Sequence, residues 1–391
     1  MRVTPSTDGR QVLIVGGGPV GLFLGCCLER RRIRCAVLER RRHAGMDSRS
    51  FGIHPVCLEL LAELGLAQEF MAGGQPIEMG RAYIDRQCVG TLSFRNCPPP
   101  FRLVLAIPQY LTERILERKL NALDPSIMQR DTEVTDVVQN GDKVAVHCRD
   151  GGGGQRIFEG DFVIGCDGVH SAVRRLAGIT FNGTPYPDVY VMGDFSDNTG
   201  RRREANIYLH RDGLIESFPF PEGRRRWVVK TELRVADCKT DDIVRRIKMR
   251  IGHDLSRCEC FMLSSFGAEH YLAESFVKDR LILAGDAAHV ISPIGGQGMN
   301  LGWLGARDLA QTLHGIYHEG SGVQSALLSY ERRRWRAAAK ARRRAEFNMA
   351  LGRKYRYPGL RKAIVWGMLH TPLCHVMARV FTMRGLDTWP L

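Results

Sequence analysis

No apolar run in this chain of 391 residues reaches the roughly 20 residues needed to cross a bilayer. The nearest candidate, 363–381, is interrupted by His370, Pro372, His375 and Arg379, and reads as a packed or interfacial helix. The polar start, Met1 to Arg10, lacks the apolar core of a secretory signal. Twelve cysteines are present, but Cys26-Cys27 and Cys258-Glu259-Cys260 do not have zinc-ligand spacing. Scattered free thiols in a reducing cytoplasm are the expectation. There is no internal repeat, no Ser-His-Asp pattern of independent weight and no nucleic-acid module, so the net charge of +14 does not point to DNA or RNA.

What is present is ordinary for a globular protein: 44% hydrophobic and 25% charged residues. The length suits two interleaved domains with an appendage. The positive charge is either spread over a solvated surface or attracts an anionic partner, such as an acidic carrier protein or anionic lipid. Eight basic residues crowd 332–344. That helical stretch is an exposed face or a candidate for peripheral membrane or carrier contact.

Gln11 to Val15 reads as an apolar strand running into Gly16-Gly17-Gly18-Pro19-Val20-Gly21, which fits G-x-G-x-x-G. A helix and a second strand follow, ending at Glu39, eighteen residues beyond Gly21. This is the full context of a dinucleotide site. Gly16 and Gly18 let backbone turn and approach a pyrophosphate, Gly21 allows close helix packing, and Glu39 accepts from an adenosine ribose. A second strand end carries Gly165-Cys166-Asp167-Gly168, with Ser171 as an N-cap. A third carries Gly285-Asp286-Ala287-Ala288-His289, then Pro293 and Gly295-Gly296-Gln297-Gly298-Met299-Asn300. Parallel strands present their C-terminal ends on one edge, so three such ends would surround one long cofactor. Asp286 could bond its polyol. The helix N-terminus at 295–298 would favour the negative charge of a reduced flavin. No second G-x-G-x-x-G unit is visible.

Between 181 and 274 alternating segments separated by turn clusters read as an antiparallel sheet with one helix, about 241–251. Tyr208 and His210 share a face of one such strand and are candidates to take a proton from a phenol; outward or packing roles fit them equally. Phe218 and Phe220 could line an aromatic pocket or be core. His289 could relay a proton, but reads first as a structural residue bonding backbone.

Together the three motifs resemble the single-component flavoprotein monooxygenases of the para-hydroxybenzoate hydroxylase type, over 10–60, 100–180 and 275–315. The resemblance implies an α/β architecture: an FAD/NAD(P)-binding Rossmann-like domain (10–78, 101–180, 276–316), an inserted antiparallel-sheet substrate domain (79–100, 181–275) and a C-terminal helical segment (317–391). It implies FAD as cofactor and NADPH or NADH as co-substrate. The implied activity hydroxylates an aromatic or polyketide-like small molecule, free or carrier-bound, through a flavin hydroperoxide. Carried over residue by residue, Val20, Glu39, Arg49, Gln109, Asp286, Gly298 and Met299 would contact FAD, and Asp167 and Gly168 would serve FAD and nicotinamide. Pro293 would face the reactive side of the flavin, its carbonyl steering the hydroperoxide. One departure is Trp303-Leu304-Gly305, which stands where many members place an acidic residue, and it bears on helix packing. Competing readings are a flavin-dependent reductase of isoprenoid chains, a halogenase and a non-catalytic carrier. The five tryptophans are never two apart, which disfavours the halogenase signature Trp-x-Trp-x-Ile-Pro.

Overall fold

The computed structural model describes residues 5–6, 11–45, 50–84, 86–232, 239–353 and 358–386. Val12–Val15 and Phe162–Gly165 are short apolar strands with every residue buried. Continuous burial of this kind belongs to strands covered on both faces. They lie side by side and parallel in a six-stranded sheet, flanked by Leu281–Leu283 on one side and Cys35–Leu38 on the other. The helix Pro19–Arg30 starts with proline in its first turn, where a missing N–H costs nothing. It packs between the sheet and the helix Gln297–His318.

The eight-stranded sheet runs in the order His289–Val290, Cys260–Ala273, Phe181–Ser196, Arg224–Thr231, Gly213–Phe220, Glu204–His210, Met79–Ile84, Gln87–Ser93. It is antiparallel except where Glu204–His210 meets Met79–Ile84 in parallel. Its end strand, His289–Val290, comes from the third glycine motif, beyond the 181–275 stretch. Two smaller sheets hold the remaining strands, including the hairpin Glu133–Asn140 with Lys143–Arg149.

The two faces of the large sheet are covered differently. On one, Val191, Ile215, Trp227 and Val229 pack with Ile243 and Ile247 of the helix Thr240–Ile251. That helix has Asp241 and Asp242 in its first turn, Lys248 and Arg250 in its last, and a left-handed Gly252 beyond it, all favourable to its dipole and its end. On the other face, Tyr190, Met192, Leu209 and Val228 pack with Ile294, Met349 and Val365.

The tail therefore does more than append. Its helix Val323–Gly352 buries Leu327, Tyr330, Arg334, Ala337, Ala341, Ala345 and Met349, a stripe at three- and four-residue spacing. The basic run is partly spent inside the molecule. Arg333 and Arg334 pair with Asp308, Arg342 with Glu346, and Lys340 and Arg344 donate to the carbonyls of Gly385 and Arg384. Among the described residues no helix is long and apolar enough to cross a membrane, and no His/Cys/Asp/Glu cluster could hold a metal ion. The eleven described cysteines are free thiols.

Candidate functional site

The three glycine motifs lie at adjacent strand ends. Cys166 N–H donates to Val15 O at 2.8 Å, and Ala284 N–H donates to Gly165 O at 2.9 Å. A Cβ on Gly285 would stand 3.0 Å from a Val20 methyl, so the first and third motifs touch. Close approach also explains Gly21, where a Cβ would lie 2.0 Å from Gly16 O. By contrast Gly18, Gly168 and Gly298 have nothing within 4 Å of that position. These three line open space along one sheet edge.

Glu39 reaches back to this edge. Its Oε2 accepts from Gly17 N–H at 2.6 Å, and its Oε1 accepts from the Arg41 backbone at 2.9 Å and guanidinium at 3.0 Å. Burial alone would raise the carboxyl; these donors outweigh it and hold it below its ordinary range. Asp167 uses Oδ2 to accept from Ala172 and Val173 N–H, at 2.6 and 3.2 Å, while its buried Oδ1 has no partner. Asp286 is exposed in the short turn Gly285–Ala287 just past its strand.

Gly295 and Gly296 both have positive φ, 94° and 63°, which frees the chain to turn into the helix Gln297–His318. Two residues clamp this turn: Asn300, which stands in the third motif without an assigned role, and His54, which sequence reasoning missed. Asn300 accepts from His54 N–H at 2.9 Å and donates to Gly52 O and Gly296 O at 2.7 and 2.9 Å. The His54 ring lies 3.2 Å from Gly295 O through Nε2. Burial lowers His54 to about 4, so the ring is neutral and Nε2–H is the donor. The signal for Asn300 was its place in the helix's first turn; nothing local marked His54. Ser50 then joins Met299 and Gln109: its Oγ donates to Met299 Sδ at 3.6 Å and its N–H to Gln109 Oε1 at 3.4 Å. Arg49 falls at 46–49, outside the described residues.

Pro293 is exposed, and its carbonyl already accepts from Gly296 N–H at 2.9 Å, leaving one lone pair for anything else. His289 is buried beside Phe276 and lowered to about 4 by burial. Trp303 is fully buried, stacks on Phe23 at 5.2 Å and donates Nε1–H to Pro19 O at 2.9 Å. Its place in the helix thus tightens packing against the glycine-turn helix.

Two expected residues are not brought here. Tyr208 stacks on Tyr83 at 4.7 Å and belongs to the face packed by Thr240–Ile251. Alternation puts His210 on that same face, where it sits at a hairpin end beside Asp212. Both therefore point away from Pro293. Their neighbours Ile207 and Leu209 face Ile294 instead. On that inner face lies Asp194, bound bidentately by Arg226 at 2.7 and 2.8 Å. The Arg226 guanidinium sits over Phe51 and Phe220, 4.9 and 4.7 Å from their centroids. A cleft of about 200 Å³ opens next to the pair, lined by Pro108, Tyr110, Phe220, Phe261 and Met262. Phe220 lines it, whereas Phe218 packs on Phe51 at 5.1 Å.

Against known proteins, a family model described as "FAD binding domain" matches residues 10–345. The chain belongs to the FAD-binding domain family. The open space at Gly18, Gly168 and Gly298, with the unpartnered Asp167 Oδ1 and a buried unpartnered Gln297 Oε1 beside it, fits such a cofactor. A rifampicin monooxygenase of Streptomyces venezuelae is 31% identical over 78% of this chain, which spans 63% of that relative's length. A dialkyldecalin synthase of Streptomyces rugosporus is 33% identical over 84% of this chain and 70% of its own. The solved p-nitrophenol 4-monooxygenase of Pseudomonas putida superposes with a TM-score of 0.87, covering 98% of this chain and 99% of its own. At 21% identity that likeness speaks to fold alone.

Proposed function

We propose that this protein is an FAD-dependent monooxygenase that uses NADH or NADPH and dioxygen to hydroxylate an aromatic or polyketide-like small molecule. One observation carries the reading: the loop 291–296 belongs to both halves of the site. Ile294 packs on the inner face of the eight-stranded sheet, while Gly295 and Gly296 open the helix that ends the glycine edge. Whatever lies along that edge meets whatever lies on that face.

When bound, FAD supplies electron transfer from the nicotinamide and delivery of an oxygen atom. The chain supplies placement. Glu39 would accept from the ribose and Asp286 from the ribityl chain. Gly16, Gly18, Val20, Gly21 and Asp167 would flank the pyrophosphate side. Gly298 and Met299, with the helix dipole behind them, would favour negative charge on the flavin's pyrimidine edge. Gln109 and Arg49 would complete the contact. Pro293 would face the reacting side, where its apolar ring limits water. The stretches 10–78, 101–180 and 276–316 would hold the cofactor, and 79–100 and 181–275 the substrate. Met349, Val365 and the rest of the tail would wall that pocket.

The test is to purify the full chain, look for a bound-flavin spectrum, and follow NADH and NADPH oxidation with dioxygen uptake against a panel of hydroxy-aromatics. Product gaining one oxygen atom is expected. Failure to bind FAD would sink the reading. The likeness to a dialkyldecalin synthase favours a second one, a synthase on the same scaffold, which would convert substrate without dioxygen uptake. Nicotinamide oxidation with no dioxygen uptake would point instead to a reductase. A carrier protein or anionic lipid would meet Arg332, Arg336 and Arg343, which remain exposed. Salt-sensitive association that survives their replacement by Glu would exclude that contact.

A further inference from the structure

Strand register places Ala82, Ile207, Glu216, Val228, Met192 and Ser264 in one row across the inner face of the large sheet. Ala82, Ile207, Val228 and Met192 join the apolar cluster that holds Ile294 and Met349. Glu216 stands in the middle of this row, 7% exposed. Among the described residues its carboxyl has no hydrogen-bond or ion-pair partner, and desolvation alone acts on it. Tyr190, one row along on the same face, feels its charge. The cations of this face are engaged elsewhere. Arg226 is held bidentately by Asp194. Lys230 pairs with Asp188 at 2.8 Å, and Arg353 holds the same carboxylate at 3.0 Å. From the tail, Arg361 donates to Leu209 O at 3.0 Å, and Glu346 accepts from Tyr186 OH at 2.7 Å.

A buried carboxyl without a partner is costly, and an apolar side chain of the same volume would remove the cost. A hydrogen-bond donor from a ligand is the partner this group lacks. The row lies on the face that the loop 291–296 turns toward the glycine edge, beside the row that carries Asp194 and the cleft. Resting on the monooxygenase reading above, we propose that Glu216 is a catalytic and specificity-determining residue that accepts the phenolic hydroxyl of an uncharged hydroxy-aromatic substrate. The step is a proton transfer. The phenol O–H bond breaks, an O–H bond forms on a Glu216 carboxylate oxygen, and the negative charge passes to the phenol oxygen. The ring gains electron density at the ortho and para carbons, where an electrophilic oxygen adds. Desolvation pushes Glu216 up to about 7, which makes it a stronger base than an exposed glutamate and leaves it partly ionised near neutrality. Aromatic acids are disfavoured, because their carboxylate would meet Glu216, and the described cations Arg226, Lys230 and Arg353 are already paired with Asp194 and Asp188.

The test uses the full FAD-loaded chain without nicotinamide, so no turnover is needed. The probes are 4-nitrophenol, 4-nitroanisole and 4-nitrobenzoate, followed by visible absorbance and equilibrium dialysis. Wild type is expected to bind 4-nitrophenol at least tenfold more tightly than the anisole or the benzoate, and to shift its bound spectrum toward the phenolate. Glu216→Gln should keep flavin content and bind the phenol, but lose the phenolate shift. Glu216→Leu should erase the phenol-over-anisole preference. Equal phenolate spectra in wild type and Glu216→Gln, or an unchanged preference in Glu216→Leu, would overturn the proposal. A wild type that shows the shift here but takes up no dioxygen in the nicotinamide assay above would sink the monooxygenase reading and leave the role of Glu216 standing as a binding role.

Discussion

Gly21 and Gly18 stand three residues apart in one motif, and space treats them oppositely. A methyl on Gly21 meets Gly16 O at 2.0 Å, so Gly21→Ala must shift the turn or the helix. A methyl on Gly18 meets no protein atom and points into the open space along the sheet edge. Gly18→Ala is therefore expected to unfold at the wild-type temperature without cofactor and to bind FAD at least tenfold more weakly. Gly21→Ala is expected to lower the melting temperature of the cofactor-free chain as well. Thermal unfolding with and without added FAD separates the two. Glu216 makes a prediction of a different sign. Its folded value, about 7, lies above its ordinary 4.5. Below 4.5 both states are protonated and the carboxyl contributes no pH dependence. Between 4.5 and 7 the unfolded chain ionises first, so stability falls as pH rises; above 7 the deficit is constant. Glu216→Gln removes it, and should gain up to about 3 kcal/mol over wild type at pH 8 relative to pH 4. Urea titrations at the two pH values measure this, and equal differences at both would contradict it. His54 works the other way: its folded value is depressed to about 4, so its contribution holds above 6.5 and fades as pH falls toward 4.

Alternation along Glu204–His210 decides which side chains can act. Tyr208 and His210 face the helix Thr240–Ile251, and Ile207 and Leu209 face the pocket loop. Tyr208→Phe and His210→Asn should leave turnover within about twofold of wild type, as expected for substitutions remote from the reacting atoms. Steady-state rates with the best hydroxy-aromatic check this, and a tenfold loss in either would return these residues to the site. The helix Gln297–His318 was legible from its glycines and its apolar period. The clamp on that turn was not legible, because His54 and Asn300 are 246 residues apart and meet only after the chain closes on itself.

At the scale of the molecule, the two sheets meet because one loop serves both. His289–Val290 pairs with Tyr271 and Leu272 at the edge of the large sheet, and ten residues later the chain is inside the helix of the glycine edge. The tail completes the enclosure: its long helix ends with Met349 on the inner face, and Gly352 lies against Leu214. In the sequence this region showed helical character and basic charge but not its docking, since long-range packing of an alanine stripe leaves no local mark. The three strand–glycine–helix motifs were determined by the sequence alone. A tight turn, a close approach and a buried parallel strand each restrict residue type within a few positions. Which face of the large sheet meets the loop 291–296 was decided only by the tertiary structure. A period of two leaves Tyr208 with His210 and Ile207 with Glu216 equally eligible, one set per face. The docking of Thr240–Ile251 on one face and of the loop 291–296 on the other broke that symmetry, and so put an unpartnered carboxyl, rather than a tyrosine, on the side where a substrate would lie.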